Sequence, residues 1–186
     1  EKEKLYPDQD DYKMSYEVLE AYIKQTIASQ QLQPHYEFSW QGGEPTLLGL
    51  DFFKHAIVLQ AKYSRGKLCY NSFQTNGILL NDAWCRFFAA HGFLIGLSID
   101  GNVSHHDAYR KTRSGKGTHA KVLSAVSLLK KHNVEFNAMT VIHKANVNDA
   151  LAVYRALLSY GIQHIQLTPL VERQAQQVTS DGLTLV

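Results

Sequence analysis

One turn is especially informative about this chain: Gln41-Gly42-Gly43-Glu44-Pro45-Thr46-Leu47, which joins a predicted strand at residues 36–40 to a helix predicted from Asp51. The paired glycines let the backbone approach a ligand closely because no Cβ obstructs it. Pro45 stiffens the turn, and Glu44 adds a carboxylate suited to a cationic group. We interpret the turn as a ligand site at the carboxyl end of a strand, where α/β proteins commonly bind ligands. A purely structural turn is the alternative.

The composition is that of a soluble globular protein with one domain. The chain has 186 residues, and 45% of them are hydrophobic, which suits a sizeable core. Lys and Arg number 19 against 17 Asp and Glu, so the net charge of +2 argues against nucleic acid or a membrane as partner. No signal-peptide core is evident. We predict a single domain over residues 1–186, with a tail of uncertain structure at 170–186, in the cytoplasm.

Cysteine usage argues against a metal site made by this chain alone. Cys69 and Cys85 are the two cysteines present, and neither belongs to a Cys-x-x-Cys pattern. We predict that both are free thiols that pack as small apolar side chains.

Hydrophobic periodicity alternates between strand and helix along the chain. Strands are predicted to start near residues 36, 68, 93, 135 and 163. The predicted helices cover about 15–29, 51–64, 81–92, 118–132 and 146–160, with Ser15, Asn81, Thr118 and either Asn146 or Asn148 as N-caps. Residues 101–117 are predicted to form a polar loop. Helices between successive strands require a parallel sheet.

The positions of polar residues favour one kind of parallel sheet over another. A doubly wound sheet and a barrel both fit the alternation, but a doubly wound sheet concentrates its ligand contacts at one switch point. Here polar residues follow several strands, as in a barrel, at 41–44, 74–76, 98–100 and 168–169. The predicted fold is therefore α/β, of (β/α) barrel type, with about five parallel strands and outer helices.

Four segments together resemble a known family. They are Phe38–Leu47 with its GGEP sequence, Phe73–Gly77 (QTNG), Leu94–Gly101 followed by His106–Arg110 (SIDG and HDAYR), and Ile165–Arg173 (IQLTPLVER). In this order they are similar to the anaerobic sulfatase-maturating branch of the radical S-adenosylmethionine (SAM) enzymes. The resemblance implies a partial (β/α) barrel as the fold.

The resemblance also implies residue roles. Cofactor binding would fall to Gly42, Gly43, Glu44, Pro45, Ser98, Arg110 and Leu167, the last through its main chain near the adenine. Substrate peptide would be contacted by Gln41, Asn76 and Asp100. Simpler interpretations stay open: Ser98 as a small interior residue, Arg110 as a solvated loop charge, Asn76 as a turn residue with positive φ, and Asp100 as a turn cap.

The chemistry implied by the resemblance is radical oxidation. A 4Fe–4S cluster gives one electron to SAM, and the resulting 5′-deoxyadenosyl radical removes hydrogen from the β-carbon of a Cys or Ser in a sulfatase peptide. Further oxidation gives formylglycine. The protein's part is to position SAM and the peptide and to exclude water.

The chain departs from the family pattern at its amino terminus. The family's three cluster cysteines, spaced Cys-x-x-x-Cys-x-x-Cys, lie just before a segment like residues 1–7, where this sequence starts. We therefore expect a fragment that performs no turnover by itself. A missing first strand would leave the edge at residues 36–40 unpaired, which predicts self-association.

Other functions remain as alternatives. The chain could be a SAM- or peptide-binding homologue without catalysis, or part of a radical SAM enzyme that modifies another peptide. It could also be an ordinary barrel that uses Glu44, Asp100 and Arg110 for acid–base chemistry on a small anionic substrate.

Overall fold

The computed structural model describes residues 13–171. Five strands and six helices follow one another in the order α1 (Tyr16–Ser29), β1 (Tyr36–Trp40), α2 (Leu50–Tyr63), β2 (Cys69–Thr75), α3 (Asp82–Ala90), β3 (Phe93–Ser98), α4 (Val103–Tyr109), α5 (His119–Lys131), β4 (Phe136–Ile142), α6 (Ala150–Ser159) and β5 (Ile165–Pro169). A short 3-10 helix, Pro45–Leu48, follows β1. Residues 1–7 lie outside the described residues, as does the part of the predicted tail at 170–186 that follows residue 171.

The strand order settles the choice between the two kinds of parallel sheet. All neighbouring pairs are parallel, and the order β1-β2-β3-β4-β5 follows the sequence without a reversal. A doubly wound sheet needs a point where the order reverses, whereas a barrel places each new strand beside the last. The predicted barrel-type sheet of five strands is confirmed as a partial barrel.

The two faces of the sheet differ in character. One face carries buried aromatic and aliphatic side chains, including Phe38, Phe73 and Ile95, and packs against the helices. Phe73 lies 4.9 Å from Phe53 of α2, measured between ring centroids. The other face is polar and more open, and register pairs such as Ser39 with Ser72, Gln74 with Gly96, and Ser98 with Met139 lie on it. The helices therefore stabilise one face and leave the inner face of the partial barrel accessible.

Helix starts were predicted with mixed success. The Ser15 and Asn81 side chains accept hydrogen bonds from the first turns of α1 and α3, as predicted. Thr118 makes no such bond; instead Asp107 Oδ1 accepts from the backbone N–H groups of Thr118 and His119, at 2.8 and 2.9 Å. Thus α5 is capped from α4, a helix inside the predicted polar loop.

The start of α6 also differs from the prediction. The helix begins at Ala150 after Asp149, and no side-chain cap bond is made there. Asn146 instead accepts a hydrogen bond from the His143 N–H and donates one to the Val141 carbonyl, so it closes the turn after β4.

The edge of β1 is partly protected. Within residues 13–171, β1 pairs with β2 and with no other strand. The Gln30 side chain bonds to the backbone of Glu37 twice: Nε2 donates to the carbonyl at 3.0 Å, and Oε1 accepts from the N–H at 2.8 Å. This amide occupies the place that the backbone of a neighbouring strand would take. Self-association through the edge stays a prediction.

Among the described residues, no helix has the length and apolar character needed to cross a membrane.

Candidate functional site

The predicted site residues gather at one edge of the sheet. Because all strands are parallel, their carboxyl ends meet there. The turn after β1 brings Gln41 to this edge, the end of β2 brings Asn76, and the end of β3 brings Ser98 and Asp100. Gln41 is exposed and Ser98 is half-buried on the inner face. Leu167 lies within β5, where its side chain is 58% exposed.

The turn after β1 presents bare backbone to solvent. Gly42 and Gly43 have φ angles of +98° and +57°, and no atom outside the turn lies within 4 Å of the position that a Cβ would take. Side chains would be strained at both angles, so glycine is required here by conformation rather than by crowding. The space beside the turn leaves room for a ligand against the backbone. Pro45 is buried beneath the turn as the first residue of the 3-10 helix.

Glu44 is bonded to its own chain, which the sequence did not predict. Oε1 accepts hydrogen bonds from the N–H and Oγ1 of Thr46, at 3.2 and 2.6 Å, and from Oγ1 of Thr75 at 2.7 Å. Oε2 accepts from the Asn76 N–H at 2.7 Å. The carboxylate therefore caps the 3-10 helix and ties the turn to the end of β2. Its contact with a cationic ligand stays a prediction.

Asn76 has a structural role that differs from the predicted one. Its φ is not positive; the following Gly77 takes that conformation, at +75°. Asn76 Oδ1 accepts a hydrogen bond from the Ile78 N–H at 2.9 Å, which closes an Asx turn after β2. Its predicted contact with a substrate is a separate matter and stays a prediction.

Asp100 and Arg110 form a two-point ion pair. Arg110 Nε lies 2.5 Å from Asp100 Oδ2, and Nη2 lies 3.1 Å from Oδ1. Oδ1 also accepts from the Val141 N–H at 2.9 Å. The Asp100 side chain is 2% exposed, whereas that of Arg110 is 25% exposed. Arg110 is thus neither a free loop charge nor fully buried. Its Nε and Nη2 are bonded to Asp100, and the Nη1 side of the planar guanidinium remains to meet a carboxylate ligand.

Two histidines lie behind this pair. His106 is completely buried, and its Nδ1 accepts a hydrogen bond from the Asp100 N–H at 3.3 Å. Burial, and then the nearby charge of Arg110, lower the pKa of His106 to about 4. His143 Nε2 lies 3.9 Å from Asp100 Oδ2. His106 and Asp107 belong to the HDAYR segment that carries the resemblance, but no role was predicted for either. His106 and Asp107 lie on the short helix α4 and Arg110 directly follows it, a spacing that could have indicated a shared structure.

Two concavities, of about 520 and 560 Å3, open at the opposite edge of the sheet. One lies by the starts of β3, β4 and β5, near Leu94, Phe136 and His164. The other lies by the start of β1 and the ends of α1 and α2. Neither lining includes a predicted site residue. The candidate site at the carboxyl edge is thus separate from both concavities, and its exposed part includes the Gly42–Gly43 backbone and part of the Arg110 side chain.

The cysteines do not form a metal centre. Cys69 and Cys85 are both free, as predicted, and desolvation by burial raises the pKa of the Cys85 thiol to about 11. No group of three His, Cys, Asp or Glu side chains that could hold a metal occurs in the part of the chain that the structure describes. A 4Fe–4S cluster needs converging thiolates, so the described residues do not fit one.

Comparison with known proteins identifies the family. The sequence model of the Radical SAM superfamily matches residues 6–157. The chain belongs to the radical SAM superfamily. The predicted family is thereby confirmed.

Relatives of this radical SAM chain are sulfatase-maturating enzymes. The serine-type anaerobic sulfatase-maturating enzyme of Bacteroides thetaiotaomicron is 44% identical over 173 residues, which are 93% of this chain and 42% of the relative. The cysteine-type enzyme of Clostridium perfringens is 38% identical over 165 residues, 86% of this chain and 44% of the relative. The chain spans less than half the length of these relatives.

Solved structures show the same arrangement of strands and helices. Native anSMEcpe with bound AdoMet and the Kp18Cys peptide has a TM-score of 0.82 and 35% identity, over 89% of this chain and 46% of that one. Streptococcus suis SuiB bound to S-adenosylmethionine has a TM-score of 0.63 at 11% identity, which shows likeness of fold alone.

Proposed function

We propose that this radical SAM chain binds SAM at the carboxyl edge of its sheet and forms part of an enzyme that oxidises a Ser or Cys of a sulfatase-type peptide to formylglycine. The observation that carries the proposal is the partly exposed guanidinium of Arg110, held by Asp100 at the same edge as the bare Gly42–Gly43 backbone. The relatives named above, and the AdoMet bound to anSMEcpe, support it.

The residues present fit SAM in charge and shape. The amino group of SAM binds at the backbone of Gly42 and Gly43. Glu44 follows these glycines, and Pro45 is buried beneath the turn. Arg110 faces the carboxylate, Ser98 lies on the inner face at the end of β3, and the main chain near Leu167 approaches the adenine. When bound, SAM supplies the group that removes hydrogen from the peptide. These residues bind and orient it and exclude water.

The substrate side of the proposal rests on Gln41 and Asn76. Gln41 is exposed beside the glycine turn, and the half-buried Asn76 follows the neighbouring strand, so both can meet a peptide laid across the edge. Asp100 is buried and paired with Arg110, so we assign it to orienting the guanidinium, while its contact with a substrate stays a prediction. The 4Fe–4S cluster of the family finds no ligand set among the described residues.

We further propose that residues 1–186 belong to one domain of a cytoplasmic protein. The continuous sheet from β1 to β5 and the single core beneath it support one domain, and the location rests on the sequence features alone.

SAM affinity, measured by isothermal titration calorimetry, tests the proposal. Arg110→Lys keeps the positive charge but loses the planar fork, so we expect it to weaken SAM binding by roughly tenfold or more. Gly43→Ala should also weaken binding, because its positive φ strains any side chain. Arg155→Ala, an exposed change on α6, serves as the control and should bind like the wild type. A wild-type chain that binds no SAM, or an Arg110→Lys variant with unchanged affinity, would contradict the proposal.

A further inference from the structure

A buried hydrogen-bonded bridge connects the backbone of Asp100 to the backbone of Arg110. It starts at the Asp100 N–H, which donates to His106 Nδ1 at 3.3 Å. On the other side of the ring, His106 Nε2 lies 3.0 Å from Thr118 Oγ1. Thr118 Oγ1 in turn donates to the Arg110 carbonyl at 2.9 Å. The bridge thus joins the two residues whose side chains form the ion pair.

The hydrogens along the bridge can be assigned from the partners. The Arg110 carbonyl can only accept, so it takes the single hydroxyl hydrogen of Thr118. His106 Nε2 must therefore carry the hydrogen that it shares with Thr118, and Nδ1 is left to accept from the Asp100 amide. This is the neutral imidazole with hydrogen on Nε2. The low pKa of His106, about 4, agrees with a ring that stays neutral near pH 7.

Thr118 itself is fixed to a rigid element. Its backbone N–H is held by Asp107 Oδ1 at the start of α5, a helix of 13 residues. The preceding Gly117 leaves room for this contact, because a Cβ there would lie only 2.1 Å from Asp107 Oδ2. Movement of Thr118 would therefore break the cap of α5 as well as the bridge.

Arg110 needs such support because α4 ends just before it. Its φ and ψ of −89° and 90° are extended rather than helical. Its N–H still bonds to the His106 carbonyl at 2.9 Å, but its own carbonyl is turned toward Thr118. The hydroxyl thereby holds the Arg110 carbonyl in this direction.

We propose that His106 and Thr118 are positioning residues, which fix the backbone of Arg110 so that its guanidinium is aimed at the ligand edge while it pairs with Asp100. Neither residue touches the ligand; both act through Arg110. The inference rests on the proposed function for the identity of the ligand, while the geometry it describes belongs to the chain without ligand.

Hydrogen exchange of the Arg110 Nε–H, followed by NMR in the 186-residue chain without ligand, tests this role. Thr118→Val keeps the shape of the side chain but removes the hydroxyl, and we expect exchange about tenfold faster, as for the loss of one hydrogen bond. Thr118→Ser keeps the hydroxyl and should exchange like the wild type. The amide of Ile95, in the buried centre of β3, reports global unfolding and should change much less.

Two results would overturn the inference. One is an unchanged Arg110 Nε–H exchange rate in Thr118→Val. The other is an equal increase at Arg110 and Ile95, which would mean general destabilisation. SAM titration of the same variants separates this inference from the proposed function. Suppose that Arg110 Nε–H exchange is faster in Thr118→Val but the wild-type chain binds no SAM. The positioning role would then be supported and the proposed ligand rejected. Where the wild type binds SAM, Thr118→Val should bind it about tenfold more weakly.

Discussion

Glu44 serves the fold as well as the candidate site. Its carboxylate accepts hydrogen bonds from Thr46, Thr75 and the Asn76 backbone, so it joins the end of β1 to the end of β2. Hydrogen bonds to a charged group are stronger than neutral ones. Glu44→Ala should therefore lower the free energy of unfolding by about 2 kcal/mol, measured by urea denaturation.

Glu37→Ala is the matched control for this change. Glu37 lies on β1, the strand that precedes the Glu44 turn, but its side chain is exposed and its carboxylate contacts His35. Its removal should change the free energy of unfolding by less than about 0.5 kcal/mol. Equal effects of the two substitutions would show that the Glu44 carboxylate does not link the strands.

His106 makes the stability of the chain depend on pH in a defined direction. Burial lowers its pKa in the native state from 6.5 to about 4, so the unfolded chain takes up a proton that the native chain does not. With respect to His106, the free energy of unfolding is therefore highest above pH 6.5, where the ring is neutral in both states, and it falls as the pH drops toward 4. The slope is about 1.4 kcal/mol per pH unit.

The difference between the wild type and His106→Gln isolates this effect, because other groups titrate in the same range. Glutamine has no proton to gain, so we expect the wild type to lose stability between pH 6.5 and 4 more steeply than the variant. A difference in unfolding free energy between wild type and variant that stays constant from pH 6.5 to 4 would contradict this prediction. It would mean that His106 has the same pKa in the native and the unfolded chain.

At the scale of elements, the first strand shows how an exposed edge can be blocked by a side chain. The Gln30 amide takes both outward hydrogen bonds of Glu37, and edge strands without such cover tend to pair with other chains. Gln30→Ala should expose this backbone and strengthen self-association about fivefold, measured by sedimentation velocity over a range of concentrations.

Gln31→Ala tests whether the effect comes from this amide. Gln31 is a neighbouring exposed glutamine, and only its backbone carbonyl bonds to Lys67. Its variant should sediment like the wild type. If self-association is unchanged in Gln30→Ala, the edge of β1 is not the surface through which the chains associate.

Elements with clear periodicity were predictable, while elements held by tertiary contacts were not. The alternation of Phe93, Ile95 and Leu97 located β3, and Asn81 located the start of α3. By contrast, α4 has seven residues and lies among polar ones, so its pattern resembles a loop. The cap of α5 comes from Asp107, eleven residues before Thr118. Capping preferences concern the residue at the helix start itself, so they could not identify this partner.

At the scale of the whole molecule, strand order is the property that makes a shared site possible. Sequential parallel strands bring every βα turn to one edge, which is why the sequence could predict that Gln41, Ser98 and Asp100 lie together. It could not predict that the Asp100 carboxylate pairs with Arg110, or that the Glu44 carboxylate accepts hydrogen bonds from its own turn and from the end of β2. Both depend on side-chain directions set by neighbouring strands.

The central claim is that these strand ends form one site for SAM. Its most direct test is a SAM titration of the uniformly 15N-labelled chain, followed through its backbone amide resonances. We predict that Gly43, Ser98 and Leu167, which lie on three different strands or their turns, shift together and saturate with one dissociation constant. The absence of shifts at high SAM concentration, or shifts confined to the opposite edge near Lys130 and His164, would contradict the account.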